Sequence, residues 1–178
     1  MQKLYTFSPI KSEQELLEAI KFIHFACFEL CKKAIGKYLP VASNIGIFCQ
    51  YEDEYEYLTK IREKITEPTD NINQKYFRLH ESIIIPAKDD VPETTYHYLY
   101  IRKPDPYRHQ VGDLDFYLEP KKYLELKNSL VNGVKIKGAR VFDRSDLDMI
   151  ELHNPDIDAL GYISTHNEAE RVRVKISK

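Results

Sequence analysis

The chain has 178 residues and a mass of 21.0 kDa, with 43% hydrophobic and 30% charged residues. That balance fits a folded globular protein and excludes a disordered or fibrous one. With 26 Lys and Arg against 28 Asp and Glu, the formal charge is −2, so no chain-wide positive field exists to attract nucleic acid. No run approaches the roughly 18 apolar residues that span a bilayer, and the first residues lack the apolar core of a signal peptide. The expectation is a cytoplasmic protein without membrane contact.

Ser12 ahead of Glu13, Gln14 and Glu15 reads as a capping box, with the Ser12 hydroxyl on the Glu15 amide and the Glu15 carboxylate reaching back. Apolar residues then recur at helical spacing from Leu16 through Ile20, Ile23, Cys27, Leu30 and Cys31 to Ile35, until Gly36 and Pro40 stop the pattern. Phe22, Phe25 and Phe28 widen the apolar face, so one long helix or two consecutive ones fit. His24, Cys27 and Cys31 share a face at a spacing that metal clusters use, but Ile20, Ile23, Leu30 and Ala34 around them favour core thiols. The third cysteine, Cys49, makes the count odd, as expected of a reducing compartment.

Residues 45–49 have the length and residue types of a buried strand. A helix follows over 52–65, with Tyr55, Leu58, Ile61 and Ile65 on one stripe and Pro68 beyond its end. Strands are predicted at 75–79 continuing into 83–85, and at 94–101, where Tyr96, Tyr98 and Tyr100 fall on one face by the two-residue period. After a polar stretch, 111–118 alternates as a half-buried strand. Pro120 opens a third helix that Gly133 closes. Strands at 134–142, 148–152, 160–164 and 171–176 complete the chain.

The order strand, helix, strand, strand thus occurs twice. It predicts an α+β protein in which two paired βαβββ-type modules, 41–103 and 104–178, form a curved sheet around one cavity. Residues 1–40 form a helical extension ahead of them, the whole making one compact domain.

In the second half, Asp113, Leu114, Asp115 and Phe116 are followed by the helix to Leu130, by Gly133 and Val134, and by Ile150, Glu151 and Leu152. These pieces resemble the vicinal oxygen chelate superfamily of glyoxalases, dioxygenases and related binding proteins. The helical extension and the stretch Phe77, Arg78, Leu79, His80, Glu81 make the likeness greatest to the YecM-like proteins. The resemblance implies a metal held by the first and fourth strands of each module. Asn44 and Asp113 stand where a His is usual, Arg102 stands near where a Glu is usual, and Glu151 retains the Glu. Asn44, Asp113 and Glu151 would form an all-oxygen set, which suits Mg²⁺, Mn²⁺ or Ca²⁺ better than Zn²⁺.

His109 and His153 are candidate acid–base groups, because imidazole titrates near neutral pH. His109 precedes the Asp113 strand, and His153 follows Glu151 by two. Arg102, Arg108, Arg140 and Arg144 are placed near the cavity openings and suit a carboxylate or phosphate ligand, with Tyr98 as a wall. No glycine-rich phosphate loop, nucleophile elbow or zinc motif is present, so no nucleotide cofactor is expected. Asp113, Glu125 and Lys127 match a nuclease spacing, but the last two lie in a helix pattern about 200° apart.

Two functions remain open at this point. One is a small-molecule-binding protein, monomer or homodimer, that uses a hard divalent metal to polarise an anionic, oxygen-rich metabolite, in the manner of a lyase, isomerase or dioxygenase. The other is a non-catalytic interaction or structural module that has lost the metal site.

Overall fold

The apolar stripe after Ser12 forms a single unbroken helix, α1 (Glu13–Ile35). The Ser12 side chain accepts from the Glu15 amide at 3.1 Å, as read, but the Glu15 carboxylate accepts from the Lys11 amide at 2.6 Å, one residue upstream of the box. Glu13 and Glu15 in the first turn and Lys32 and Lys33 in the last complement the helix dipole. Gly36 ends the helix at φ 80°, with its N–H on the Lys32 carbonyl. The computed structural model describes residues 4–144 and 147–165, with the side chains of 143 and 144 outside that description. The strand expected at 171–176 therefore lies outside the described residues, as does the Arg144 side chain.

The remaining elements follow the expected order: β1 (Val41–Phe48), α2 (Glu52–Ile65), β2 (Phe77–Ile85), β3 (Thr94–Arg102), β4 (Gly112–Tyr117), α3 (Pro120–Val131), β5 (Ala139–Arg144), β6 (Leu147–Leu152) and β7 (Leu160–Ser164). They build one curved seven-stranded sheet in the order β2-β3-β1-β4-β7-β6-β5. In each half the first strand pairs in parallel with the last, β1 with β3 and β4 with β7. A parallel pair needs a crossover, and each crossover contains a helix, α2 or α3. The second half is a complete βαβββ unit. The first is one strand shorter, since residues 66–76 contribute only the isolated Thr66–Leu79 bridge. The halves join where β1 and β4 run antiparallel.

Alternation sorts the two faces. Ile45, Ile47, Leu114, Phe116, Ile150 and Ile163 enter the core with Ile20, Ile23, Cys27 and Leu30 of α1 and with Leu58 and Ile61 of α2. Asn44, Gly46 and Phe48 on β1, Asp113 and Asp115 on β4, Glu151 on β6 and Tyr162 on β7 alternate with these and take the other face. The expected tyrosine face on β3 is broken. Tyr96 is fully buried and its hydroxyl meets His24 of α1, whereas Tyr100 lies on the helix-free face. The β2–β3 register shifts between Arg78 and Ile83, which uncouples the alternation at that place. Residues 134–138, expected as strand, lie ahead of β5 without strand pairing and end in a turn at 137–138, with Gly138 at φ 84°. Among the described residues no helix is long and apolar enough to cross a membrane.

Candidate functional site

A cavity of about 480 Å³ opens on the helix-free face. Its lining comes from both halves of the sheet and from the connection between them: Tyr100 and Arg102 on β3, Asp105, Tyr107 and Arg108 after it, and Arg140, Phe142, Met149 and Tyr162 from β5 to β7. Lys75 and Tyr76, ahead of β2, and Phe48 complete one wall. The close approach of β1 and β4 sets the floor. A Cβ on Gly46 would overlap the Asp113 carboxylate oxygen and stand 3.2 Å from its Cγ, so only glycine leaves room for that carboxylate beside Tyr100.

A polar row crosses all seven strands, by backbone register except at the step from β4 to β1, which a side-chain hydrogen bond makes. Arg140 pairs with Glu151, Glu151 with Tyr162, and Tyr162 with Asp115. Asn44 Nδ2 donates to Asp115 Oδ2, and Asn44 pairs with Tyr98, which pairs with Arg78. Tyr76 Oη also donates to Asp115, at 3.3 Å.

Glu151 is the hub of this row. It is fully buried, and both of its oxygens are engaged. Arg140 donates to Oε1 through Nε at 2.9 Å and through Nη2, while Arg108 Nη1 lies 3.3 Å from Oε2 and Tyr162 Oη donates to Oε2 at 3.2 Å. Burial first, and the carboxylates of Asp113, Glu151 and Asp115 next, push the Tyr162 phenol well up, so it stays protonated and donates. One carboxylate serving two guanidiniums leaves the group with one net positive charge. Arg140 presents it outward, since 58% of its side chain is exposed. Arg102 pairs with Asp105 and lies 5.0 Å over the Phe48 ring; Arg108 lies 5.5 Å over Phe142.

Three of the expected arginines, Arg102, Arg108 and Arg140, are therefore brought to one cavity together with Asp113. The metal set is not assembled. Asn44 on β1 and Glu151 on β6 are separated by β4 and β7, three strand spacings or about 14 Å. That distance is too long for one ion to bridge with the 2.0–2.6 Å bonds of hard cations. Glu151 is moreover occupied by two guanidiniums, whose charge opposes a second cation. Among the described residues no group of three His, Cys, Asp or Glu side chains is placed to hold a metal. The residues present do not fit the metal that the resemblance implied. Glu151 also lies on the third strand of its half, not the fourth; the fourth-strand position opposite it belongs to Tyr162.

Neither expected histidine lines the cavity. His109 is exposed beyond Arg108, and His153 lies past the end of β6, where its N–H donates to the Gly138 carbonyl. Tyr98 is buried within the row and is not part of the lining. Lys127 belongs to α3 and pairs with Asp148 at 2.8 Å, and it is not part of the lining that holds Asp113. Tyr107, Tyr76, Lys75 and Phe142 escaped the sequence reading. For Tyr107 the signal was present in the segment Pro104, Asp105, Pro106, Tyr107, where two prolines fix a short connection next to Arg102 and Arg108.

No family model matches the chain, and no curated protein matches it. Among solved structures it is similar to a Streptomyces coelicolor methylmalonyl-CoA epimerase variant in complex with 2-nitronate-propionyl-CoA, with 17% identity over 71% of this chain and 99% of that one and a TM-score of 0.31. It is also similar to a methylmalonyl-CoA epimerase in complex with methylmalonyl-CoA and NH4+, at 17% identity over 74% and 99% of the two chains and a TM-score of 0.31. Overlap at that level shows neither a shared site nor a shared ligand, so the chemistry of this cavity rests on its own side chains.

Proposed function

We propose that the protein binds a small organic anion in the cavity on the helix-free face, directly through arginine and without a bridging metal. One observation carries this reading: Arg108 and Arg140 share the single buried carboxylate of Glu151, beside Arg102, in one cavity. A guanidinium anchored on one edge keeps further N–H donors in a fixed plane, which suits a carboxylate or phosphate. Tyr162 and Glu151 orient the pair, and the cations on the lining, Lys75, Arg102, Arg108 and Arg140, outnumber its carboxylates, Asp105 and Asp113. Kinship with the YecM-like proteins, supported by α1 ahead of β1, is part of this proposal. So is a cytoplasmic location, supported by three buried free thiols at Cys27, Cys31 and Cys49.

Thermal unfolding in the presence of acetate, succinate, phenylacetate and inorganic phosphate tests the binding. At least one of these anions is expected to raise the melting temperature, since a ligand at 100 times its Kd adds about 2.7 kcal/mol to stability. The rise should survive EDTA and disappear in Arg108→Met. A melting temperature unmoved by every anion would favour the alternative of a module that binds no small ligand.

A further inference from the structure

We propose that the ligand is a flat aromatic ring carrying a carboxylate or a phosphate, held between Tyr107 and the aromatic floor of the cavity. This rests on the anion reading above and narrows it. Arginines alone would serve any small acid, but six of the fourteen lining residues are aromatic, among them the Tyr76 and Tyr100 rings with centroids 5.2 Å apart. Arg102 and Arg108 each lie over a further ring. The anion donors are thus embedded in π surface, where an aromatic ring can stack in an offset or edge-to-face manner.

Tyr107 supplies the second jaw. The residue is 85% exposed, yet its backbone is fixed: the Tyr107 N–H donates to Asp105 Oδ1 at 2.9 Å, and the Arg108 N–H donates to the Asp105 carbonyl at 3.0 Å. The same Asp105 holds Arg102, so one residue sets both the aromatic rim and an anion donor. Ile72 is even more exposed, but it is not part of this cavity's lining, and single exposed apolar residues are ordinary. A bulky ring held in water at a cavity mouth by a braced turn is instead a surface that a ligand can cover. The cavity volume is in the usual range for small-molecule sites and admits a ring with a short side arm.

Phenylacetate and cyclohexylacetate form a matched pair of similar size and equal charge, differing in planarity and π character. Calorimetric titration of the full chain is expected to show phenylacetate binding about tenfold more tightly. Phenyl phosphate measured alongside identifies the preferred anion, and a preference for the aromatic member of the matched pair supports the proposal. In Tyr107→Ala the preference should fall below about threefold, while Tyr107→Phe keeps it. The ring is exposed, so neither substitution should affect folding, which circular dichroism verifies. Equal binding of the matched pair, or a preference unchanged in Tyr107→Ala, would overturn this proposal and leave the anion reading standing. No binding by any of the three acids to folded protein would overturn this proposal, and it would overturn the anion reading as well only where acetate, succinate and inorganic phosphate also leave the melting temperature unmoved.

Discussion

His24 shows what a single residue can report about this fold. It sits on the buried face of α1 with no exposed surface, its Nδ1 is 2.7 Å from the Tyr96 hydroxyl, and Phe25 and Phe28 pack against its ring. Nε2 has no hydrogen-bond partner among the described residues. Burial lowers its pKa from 6.5 to about 4, so the folded protein holds it neutral. The facing Tyr96 is pushed up by the same burial and stays a phenol. Between pH 6.5 and 4 the unfolded chain takes a proton at this residue that the native state refuses, so its contribution to stability is full above that window and is lost as pH falls through it. The loss approaches about 3 kcal/mol. His24→Gln keeps a partner for Tyr96 but cannot titrate there. Urea midpoints at pH 7 and pH 4.5 should therefore fall less for this variant than for the wild type; equal slopes would assign the acid sensitivity to other groups.

At the scale of elements, the clearest signals in the sequence are the ones that the backbone obeys. Gly36 follows the last turn of α1 at φ 80°, and nothing lies within 4 Å of where a Cβ would stand. Gly36→Ala therefore isolates backbone strain, and it should lower stability by about 1 kcal/mol in a denaturant titration, with unchanged helix content. The start and end of α1, the proline at the head of α3 and most strands were legible in this way, because each depends on local spacing or capping. What depends on long-range contact was not. The fracture of the tyrosine face on β3 comes from a register shift with β2, and nothing near Tyr96 encodes it. The site was legible only in part for the same reason. The arginines at 102, 108 and 140 stand out in the sequence, but a separation of three strands between Asn44 and Glu151 follows from strand order, and the occupation of Glu151 by two guanidiniums from long-range contact.

The whole molecule depends on what holds its two halves together. β1 and β4 meet antiparallel at the seam, and α1 lies across it, packing on β1, β4, β6 and β7. Ile23 marks the crossing: a Cβ on Gly112 would stand 2.6 Å from its Cδ1 and would overlap the Gly46 carbonyl, so helix, seam and both glycines are in mutual contact there. Cys27, one turn further along, donates to the Leu160 carbonyl of the second half at 3.2 Å. If α1 acts as a common clamp, the halves cannot unfold independently. Ile23→Ala removes three carbons from a fully buried position at the crossing, and it should destabilise the protein by about 2–4 kcal/mol. The tyrosines of both halves, Tyr96 and Tyr98 in the first and Tyr123 and Tyr162 in the second, report through intrinsic fluorescence in the absence of tryptophan. Fluorescence and far-ultraviolet dichroism of this variant should follow one shared transition at a lower denaturant concentration. Two separated transitions already in the wild-type protein would mean that α1 does not clamp the halves and that each half of the sheet folds by itself.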